Sequence, residues 1–349
     1  MNAPQGRGWR VVSLGGGTGM SALLSGLKRF VHAEHPERID SLTAVVAVTD
    51  DGGSSGRLRD EFRILPPGDV RSCIVALSDN TALLSRLFQY RFNGTGDLGG
   101  HSLGNLLLTA LTEVRGDFLS AIKAASDVLA IKGTIYPATM QNVHLVADLE
   151  DGTRLRGEST ISKAKAPISA VRLEPRGCRP LPETLAALRA ADIICVGPGS
   201  LFTSIVPNLL VPGVADAMRR SKAIKIFICN VMTQPGETPG MTAHDHIRRV
   251  QQLCGGDLFD AVLVNSAVPT VAALRRYRRD GADMVAVDRA RFASLPLRLV
   301  TRRLMKQDGT KVRHDPDRLA RQILSLARRR VAAARAAAGR QPRSTRRSA

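Results

Sequence analysis

Short apolar runs rich in β-branched residues recur along the chain at 10–14, 42–48, 142–149, 193–196, 225–229, 261–264 and 284–287. Those in the second half show almost no alternation of apolar and polar positions, which is the pattern of strands covered on both faces of a parallel sheet. Between the runs, stretches at 21–30, 105–114, 117–129, 182–191, 214–221, 242–253 and 270–279 read as helices. This alternation predicts an α/β fold of the Rossmann-like, doubly wound kind with a mostly parallel sheet. One interval departs from it. Residues 144–149 alternate, meet the turn Glu150-Asp151-Gly152-Thr153, and are followed by a partner run at 153–161. That spacing predicts a small antiparallel hairpin insertion. No Pro/Gly/Ser-rich linker divides the chain and no repeat is visible. Residues 10–327 therefore read as a single domain, flanked by a short N-terminal segment (1–9) and a basic C-terminal tail (328–349), both expected to be disordered.

Composition narrows the class. The chain has 349 residues, enough to bury a sizeable core, and 44% of them are hydrophobic, as in ordinary globular proteins. No run of 18 apolar residues suggests a membrane span, and the polar start does not resemble a secretory signal. The five cysteines are dispersed and form no C-x-x-C pair. A disulfide framework and a zinc site are both disfavoured, and a reducing cytoplasmic setting is expected. The net charge of +19 raises the question of nucleic acid, but eight arginines lie at or beyond Arg328 with no acid among them. Aromatic residues make up only 4%, so a base-stacking platform is not expected and nucleic acid is not the expected partner.

The candidate chemistry lies in five polar, glycine-bearing loops at strand ends. The first is Gly15-Gly16-Gly17-Thr18-Gly19, running from a strand directly into a helix. Its glycines allow close backbone approach, and the helix start offers amides and a positive dipole end to phosphate, so Gly16, Gly17, Thr18 and Gly19 are candidate binding residues. Met20 occupies the place of the last glycine of a dinucleotide fingerprint, and no Gly-Lys-Ser/Thr follows, so neither NAD nor an ATPase loop is indicated. The second loop carries Asp50, Asp51, Ser54 and Ser55. Its two acids can bind a ribose, hold Mg²⁺ or assist proton transfer. A rigid Pro66-Pro67-Gly68-Asp69-Val70-Arg71 segment follows. The third, Gly100-His101-Ser102-Leu103-Gly104-Asn105, offers Asn105 and a histidine that is either a hydrogen bonder or an acid or base. The fourth supplies Gly197, Gly199, Ser200, Thr203 and Ser204, which can cap a helix or donate to phosphate. The fifth supplies Asn230, Thr233 and Gln234. In an open parallel sheet these loops share one rim, where ligands bind.

Taken together, the loops at 15–20, 49–57, 100–105, 197–204 and 230–238 resemble the signatures of the YvcK family of gluconeogenesis factors, within the CofD-like superfamily. The resemblance runs from about residue 11 to 326 and includes Arg313-His314-Asp315-Pro316. It implies a UDP-sugar ligand, typically UDP-N-acetylglucosamine, and a regulatory role in carbon flux to the cell wall and in cell shape. Cell-wall synthesis or metabolic regulator proteins, and a second copy of the chain, are the partners it implies. It also implies that Tyr277 and Arg313 belong to the nucleotide-sugar site, where a ring can stack on uracil and a guanidinium can pair with pyrophosphate. No nucleophile–base pair is evident, so no catalytic residue, resident metal or required cofactor is assigned. The rival expectation comes from the sister CofD transferases, which move a phospholactyl group to a deazaflavin with Mg²⁺. In that reading Asp50 and Asp51 hold the metal or polarise the acceptor.

Overall fold

The computed structural model describes residues 7–79 and 82–338. Its central sheet has seven strands, all parallel: β1 (Trp9–Gly15), β2 (Ile39–Val46), β3 (Thr134–Pro137), β7 (Ile193–Val196), β8 (Ile224–Ile228), β9 (Ala261–Asn265) and β10 (Arg298–Arg302). Their order is β10-β9-β8-β7-β1-β2-β3. The chain thus winds from β1 toward one edge and later returns to build the other half from β7. The β1/β7 junction is the topological switch point, and a crevice opens there at the carboxyl ends of the strands. The apolar runs read as two-sided strands are buried along their length: every residue of β7 and β9 is buried, and all but one of β8.

The antiparallel insertion is a three-stranded sheet, β5-β4-β6, from β4 (His144–Leu149), β5 (Arg154–Arg156) and β6 (Ile168–Glu174). The partner expected to run to residue 161 stops at Arg156, because Gly157 turns at φ +94 into the helical turn Glu158–Ile161. Residues 284–287 are apolar but form no strand. Met284 makes one antiparallel bridge to Met232, and the edge beside β9 belongs to the more polar β10. A final hairpin joins β11 (Met305–Asp308) to β12 (Lys311–His314).

The first helix, α1 (Gly17–Leu27), begins inside the glycine loop rather than after it. Segments expected as loops are also helix starts: α2 spans Gly53–Phe62 and α3 spans Gly68–Leu77, followed by α4 (Ala82–Gln89) and α5 (Leu103–Arg115). Met20 is fully buried and its side chain lies under Gly15, with Sδ 3.5 Å from where a Cβ there would stand. Close packing is provided elsewhere. A Cβ on Gly26 would lie 2.1 Å from the Pro316 carbonyl oxygen, so α1 presses on the start of the C-terminal helix Pro316–Ala338.

That helix runs into the tail, which was expected to be disordered or to fray from a last helix. Residues 328–338 are helical, as their Ala/Arg composition favours. Arg328 pairs with Glu37 at 3.6 Å and Arg330 with Asp260 at 2.7 Å. Residues 339–349 lie outside the described residues. At the other end Trp9 is already in β1, and residues 1–6 of the segment expected to be disordered also lie outside them.

Candidate functional site

The crevice at the switch point is a cleft of about 570 Å³, within the ordinary range for small-molecule sites. One wall is the start of α1. Gly17 takes φ +63, and Gly16, the residue before the helix, offers no side-chain cap. First-turn amides have no acceptor within a helix. The Gly17 amide is bonded to the Asp69 carboxyl. Thr18 and Gly19, the next first-turn residues, line the cleft at the positive end of the helix dipole, the arrangement that binds phosphate. Gly19 must be glycine, because a Cβ would lie 2.5 Å from the Pro198 carbonyl oxygen on the neighbouring loop.

The opposite wall comes from the loops after β7 and β8, which brace one another. Asn230 brackets Gly199, accepting from its amide at 3.1 Å and donating to its carbonyl at 2.8 Å. Gln234 donates to the Ser200 hydroxyl at 2.7 Å. Thr233 lines the cleft but is tied to Asp283, whose amide donates to its hydroxyl at 2.8 Å. These residues read as ligand donors thus hold the wall in shape. Ser200 precedes a π-helical turn, Leu201–Ile205, and makes no cap bond. Thr203 does not reach the cleft: it is buried and donates to Glu237 at 3.2 Å. Gly197 turns at φ +80 behind the wall and donates its amide to the Leu14 carbonyl.

The third side is the β11–β12 hairpin with the helix Val271–Arg279. Tyr277, Arg313 and His314 all line the cleft. Gly16, Gly17, Thr18, Gly19, Gly199, Ser200, Asn230, Thr233, Gln234, Tyr277 and Arg313 therefore all line this one cleft.

The second and third loops form a separate cluster behind the α1 start. Ser54 accepts from Asn105 at 3.0 Å and shares a 3.0 Å hydrogen bond with His101. Burial, followed by nearby Arg57 and Arg91, lowers the His101 pKa. Ser55 packs on Gly68, whose added Cβ would sit 2.3 Å from the hydroxyl oxygen. Asp50 accepts from the Gly52 amide at 2.9 Å, and Asp51 accepts from the Ser159 amide at 2.8 Å. None of these residues lines the cleft. Asp51 instead fixes the turn that carries Glu158 to the cleft wall. Carboxyls meet across this boundary: Asp50 acts on both Asp69 and Glu158, and Asp69 acts on Glu158. Burial, followed by Asp50, raises Asp69 to about 7, and burial, followed by Asp69 and Asp50, pushes Glu158 well above the usual carboxylate range. Among the described residues no three His, Cys, Asp or Glu side chains converge as a set able to hold a metal ion.

Two residues escaped the sequence reading. Asn208 is fully buried and donates to the Gly15 carbonyl at 3.0 Å and to that of Ser204 at 2.8 Å, tying the glycine loop to the π-turn. Glu158 reaches the cleft from the insertion. Asn208 sits in an apolar helix and Glu158 follows an ordinary hairpin, so neither carried a local signal.

Comparison with known proteins agrees with this architecture. The family model described as 2-phospho-L-lactate transferase CofD matches residues 11–305. The gluconeogenesis factor of Bacillus subtilis (strain 168) is 44% identical over 317 residues, covering 91% of this chain and 98% of that one. That of Halalkalibacterium halodurans is 45% identical over 314 residues, covering 90% and 95%. A crystal structure of a protein from Bacillus halodurans matches with a TM-score of 0.87 at 44% identity, covering 91% of this chain and 100% of that one. Among the described residues no single helix is long and apolar enough to cross a membrane.

Proposed function

The chain belongs to the CofD family, and we propose that its cleft binds a UDP-sugar, UDP-N-acetylglucosamine or a close relative, as a regulatory ligand. The observation that carries this reading is the uncapped start of α1 at the β1/β7 junction, with Arg313 and Tyr277 on the same cleft. The Thr18 and Gly19 amides suit one phosphate, the Arg313 guanidinium suits the other, and the Tyr277 ring offers a face to a base. Relatives bearing the name gluconeogenesis factor support a role in directing carbon, and we extend this to flux toward the cell wall and to cell shape. Binding at a cleft built from six separate segments would order them together and change the surface offered to a partner: a cell-wall or metabolic regulator, or a second copy of the chain. Calorimetric titration of the full chain with UDP-N-acetylglucosamine, GDP and NAD tests the reading. Heat from the UDP-sugar and none from NAD is expected. Binding of GDP with none of the UDP-sugar overturns it.

The description of the family model, 2-phospho-L-lactate transferase, favours a second reading, a transferase, for which Asp50 and Asp51 would be the candidates to hold Mg²⁺. The donor set fits it poorly. Asp51 accepts from a backbone amide, Asp50 closes a local turn, and neither reaches the cleft. Turnover lost in Asp50→Asn would restore that reading.

A further inference from the structure

Glu158 brings a carboxyl to the cleft from the antiparallel insertion, and nothing in the protein answers it. The residue is partly exposed and lines the cleft. Among the described residues its carboxyl has no hydrogen-bond or ion-pair partner. Two neighbours locate it, because Asp69 and Glu237 both act on it electrostatically. The Asp69 carboxyl packs directly on Gly16, and Glu237 accepts from the Phe202 amide at 3.0 Å, two residues beyond Ser200. Gly16 and Ser200 stand on opposite walls. The Glu158 carboxyl therefore lies where the α1 start and the β7 loop approach each other. Its turn is held from outside the cleft. Asp51 accepts from the Ser159 amide at 2.8 Å, and Gly157, at φ +94, has no room for a side chain against the Asp51 carboxyl. A carboxyl fixed in this way is already positioned for a ligand.

The rest of the cleft indicates which part of the ligand meets it. Val231, Met232, Val312 and Tyr277 belong to a small apolar cluster separate from the main core, and such a wall suits a flat base. The start of α1 and Arg313 suit phosphate. A phosphate against Glu158 would set one anion on another, with Asp69 and Asp50 behind it. Burial, followed by those two carboxyls, already pushes Glu158 above the usual carboxylate range, so a further negative charge there is opposed. A hydroxyl is not opposed, because it donates to a carboxyl oxygen in either protonation state. We infer that Glu158 receives the sugar of the nucleotide-sugar, accepting from its hydroxyls, and so distinguishes a diphosphate esterified to a sugar from a free nucleoside diphosphate. The inference rests on the nucleotide-sugar reading above. A site built to hydrogen-bond a substrate hydroxyl rejects the analogue that lacks it, because its own polar group is then left unpaired.

The test is titration of the full chain, of Glu158→Ala and of Glu158→Gln with UDP-N-acetylglucosamine and with UDP, each without and with Mg²⁺. It is joined to the ¹³C resonance of the Glu158 Cδ in the unsubstituted protein. That protein is expected to bind the UDP-sugar about tenfold or more tightly than UDP without Mg²⁺. Glu158→Ala should bring the two within about twofold by weakening the UDP-sugar and not UDP. Glu158→Gln, which keeps an acceptor, should retain part of the preference. The Cδ resonance should move with the UDP-sugar and much less with UDP. If Glu158→Ala does not fold, the resonance decides. An undiminished preference in Glu158→Ala, an equal weakening of both ligands, or UDP-sugar binding with no change at Cδ overturns the role of Glu158 and leaves the UDP-sugar reading standing. A preference that appears only with Mg²⁺ also overturns it, by giving the carboxyl to a metal ion. No binding of either ligand by the unsubstituted protein overturns both.

Discussion

The phenolic oxygen of Tyr277 is hydrogen-bonded to both backbone polar groups of Val312, accepting from the amide at 3.1 Å and donating to the carbonyl at 3.4 Å. Tyr277 therefore does more than present a ring. It fixes the strand whose next two residues are Arg313 and His314. Tyr277→Phe keeps the ring and removes the clamp. It should lower stability by about 1 kcal/mol and weaken UDP-N-acetylglucosamine binding several-fold, read by thermal unfolding and calorimetry. Unchanged affinity in Tyr277→Phe would show that the hairpin holds its place without the hydroxyl.

Gly19→Ala places a methyl group against the Pro198 carbonyl oxygen. The β1 and β7 loops must then separate, widening the phosphate end of the cleft. Loss of ligand binding by tenfold or more is expected, with a fold that remains intact by circular dichroism. The neighbouring Gly17→Ala meets no atom within 4 Å and is opposed only by its φ of +63, so it should cost less affinity than Gly19→Ala. The reverse ranking would contradict this account of the wall.

Asn208 donates to two carbonyls from a fully buried position. Asn208→Ala removes both bonds and leaves the Gly15 carbonyl with the Ala47 amide alone, for a loss of about 1–2 kcal/mol in denaturant unfolding. Asn208→Asp should be worse, because the carboxylate places further acceptors against those carbonyls.

Asp69 sets a pH dependence. Burial, followed by the facing Asp50, raises its pKa, and the Gly17 amide and Arg71 lower it. The value of about 7 lies above the ordinary 3.8, so the folded protein keeps a proton that the unfolded chain has lost. Stability should therefore decline as pH rises from roughly 4 to 7 and level off above. Asp69→Asn should remove that slope and gain about 1–2 kcal/mol at pH 8 with little change at pH 4. Phosphate beside Gly17 also favours the protonated carboxyl. Affinity for UDP-N-acetylglucosamine should fall above pH 7 in the parent and stay flat in the variant. Equal gains in stability at both pH values would locate the effect elsewhere.

The parallel sheet was legible because β7, β8 and β9 are short apolar runs covered on both faces. The rim loops were legible because glycine, serine and asparagine cluster where those strands end. The edge strand β10, Arg298–Arg302, was not. An edge strand needs less apolar character, and the neighbouring 284–287 run, more apolar, fills a different slot through its bridge to Met232. The starts of α2 and α3 were hidden because Gly53, Ser54 and Gly68 look like loop residues. Gly68 has no room for a side chain because Ser55 packs directly on it, Gly53 has open space but takes φ +48, and Ser54 is held by Asn105 and His101. Which polar side chains face the ligand and which brace the wall was beyond local reading. Asn230 and Gln234 sit on a strand-end loop as ligand donors would, and only the approach of the β7 loop engages them with Gly199 and Ser200.

The contact of Gly26 with Pro316 has a consequence for the order in which the chain is made. The phosphate-facing helix leaves the ribosome long before the helix it rests on, which is the last one described. β1 likewise waits for residues 193–196 before its second neighbour exists. Domains that fold during synthesis do so from the N-terminal side as contacts become available. Here the earliest segment has its partners at the far end, so α1 and its glycine loop stay without their final support until about residue 338 is free. A stalled or shortened chain would expose an apolar helix face and an unfinished anion site together, which makes the C-terminal helix the step that releases a finished cleft.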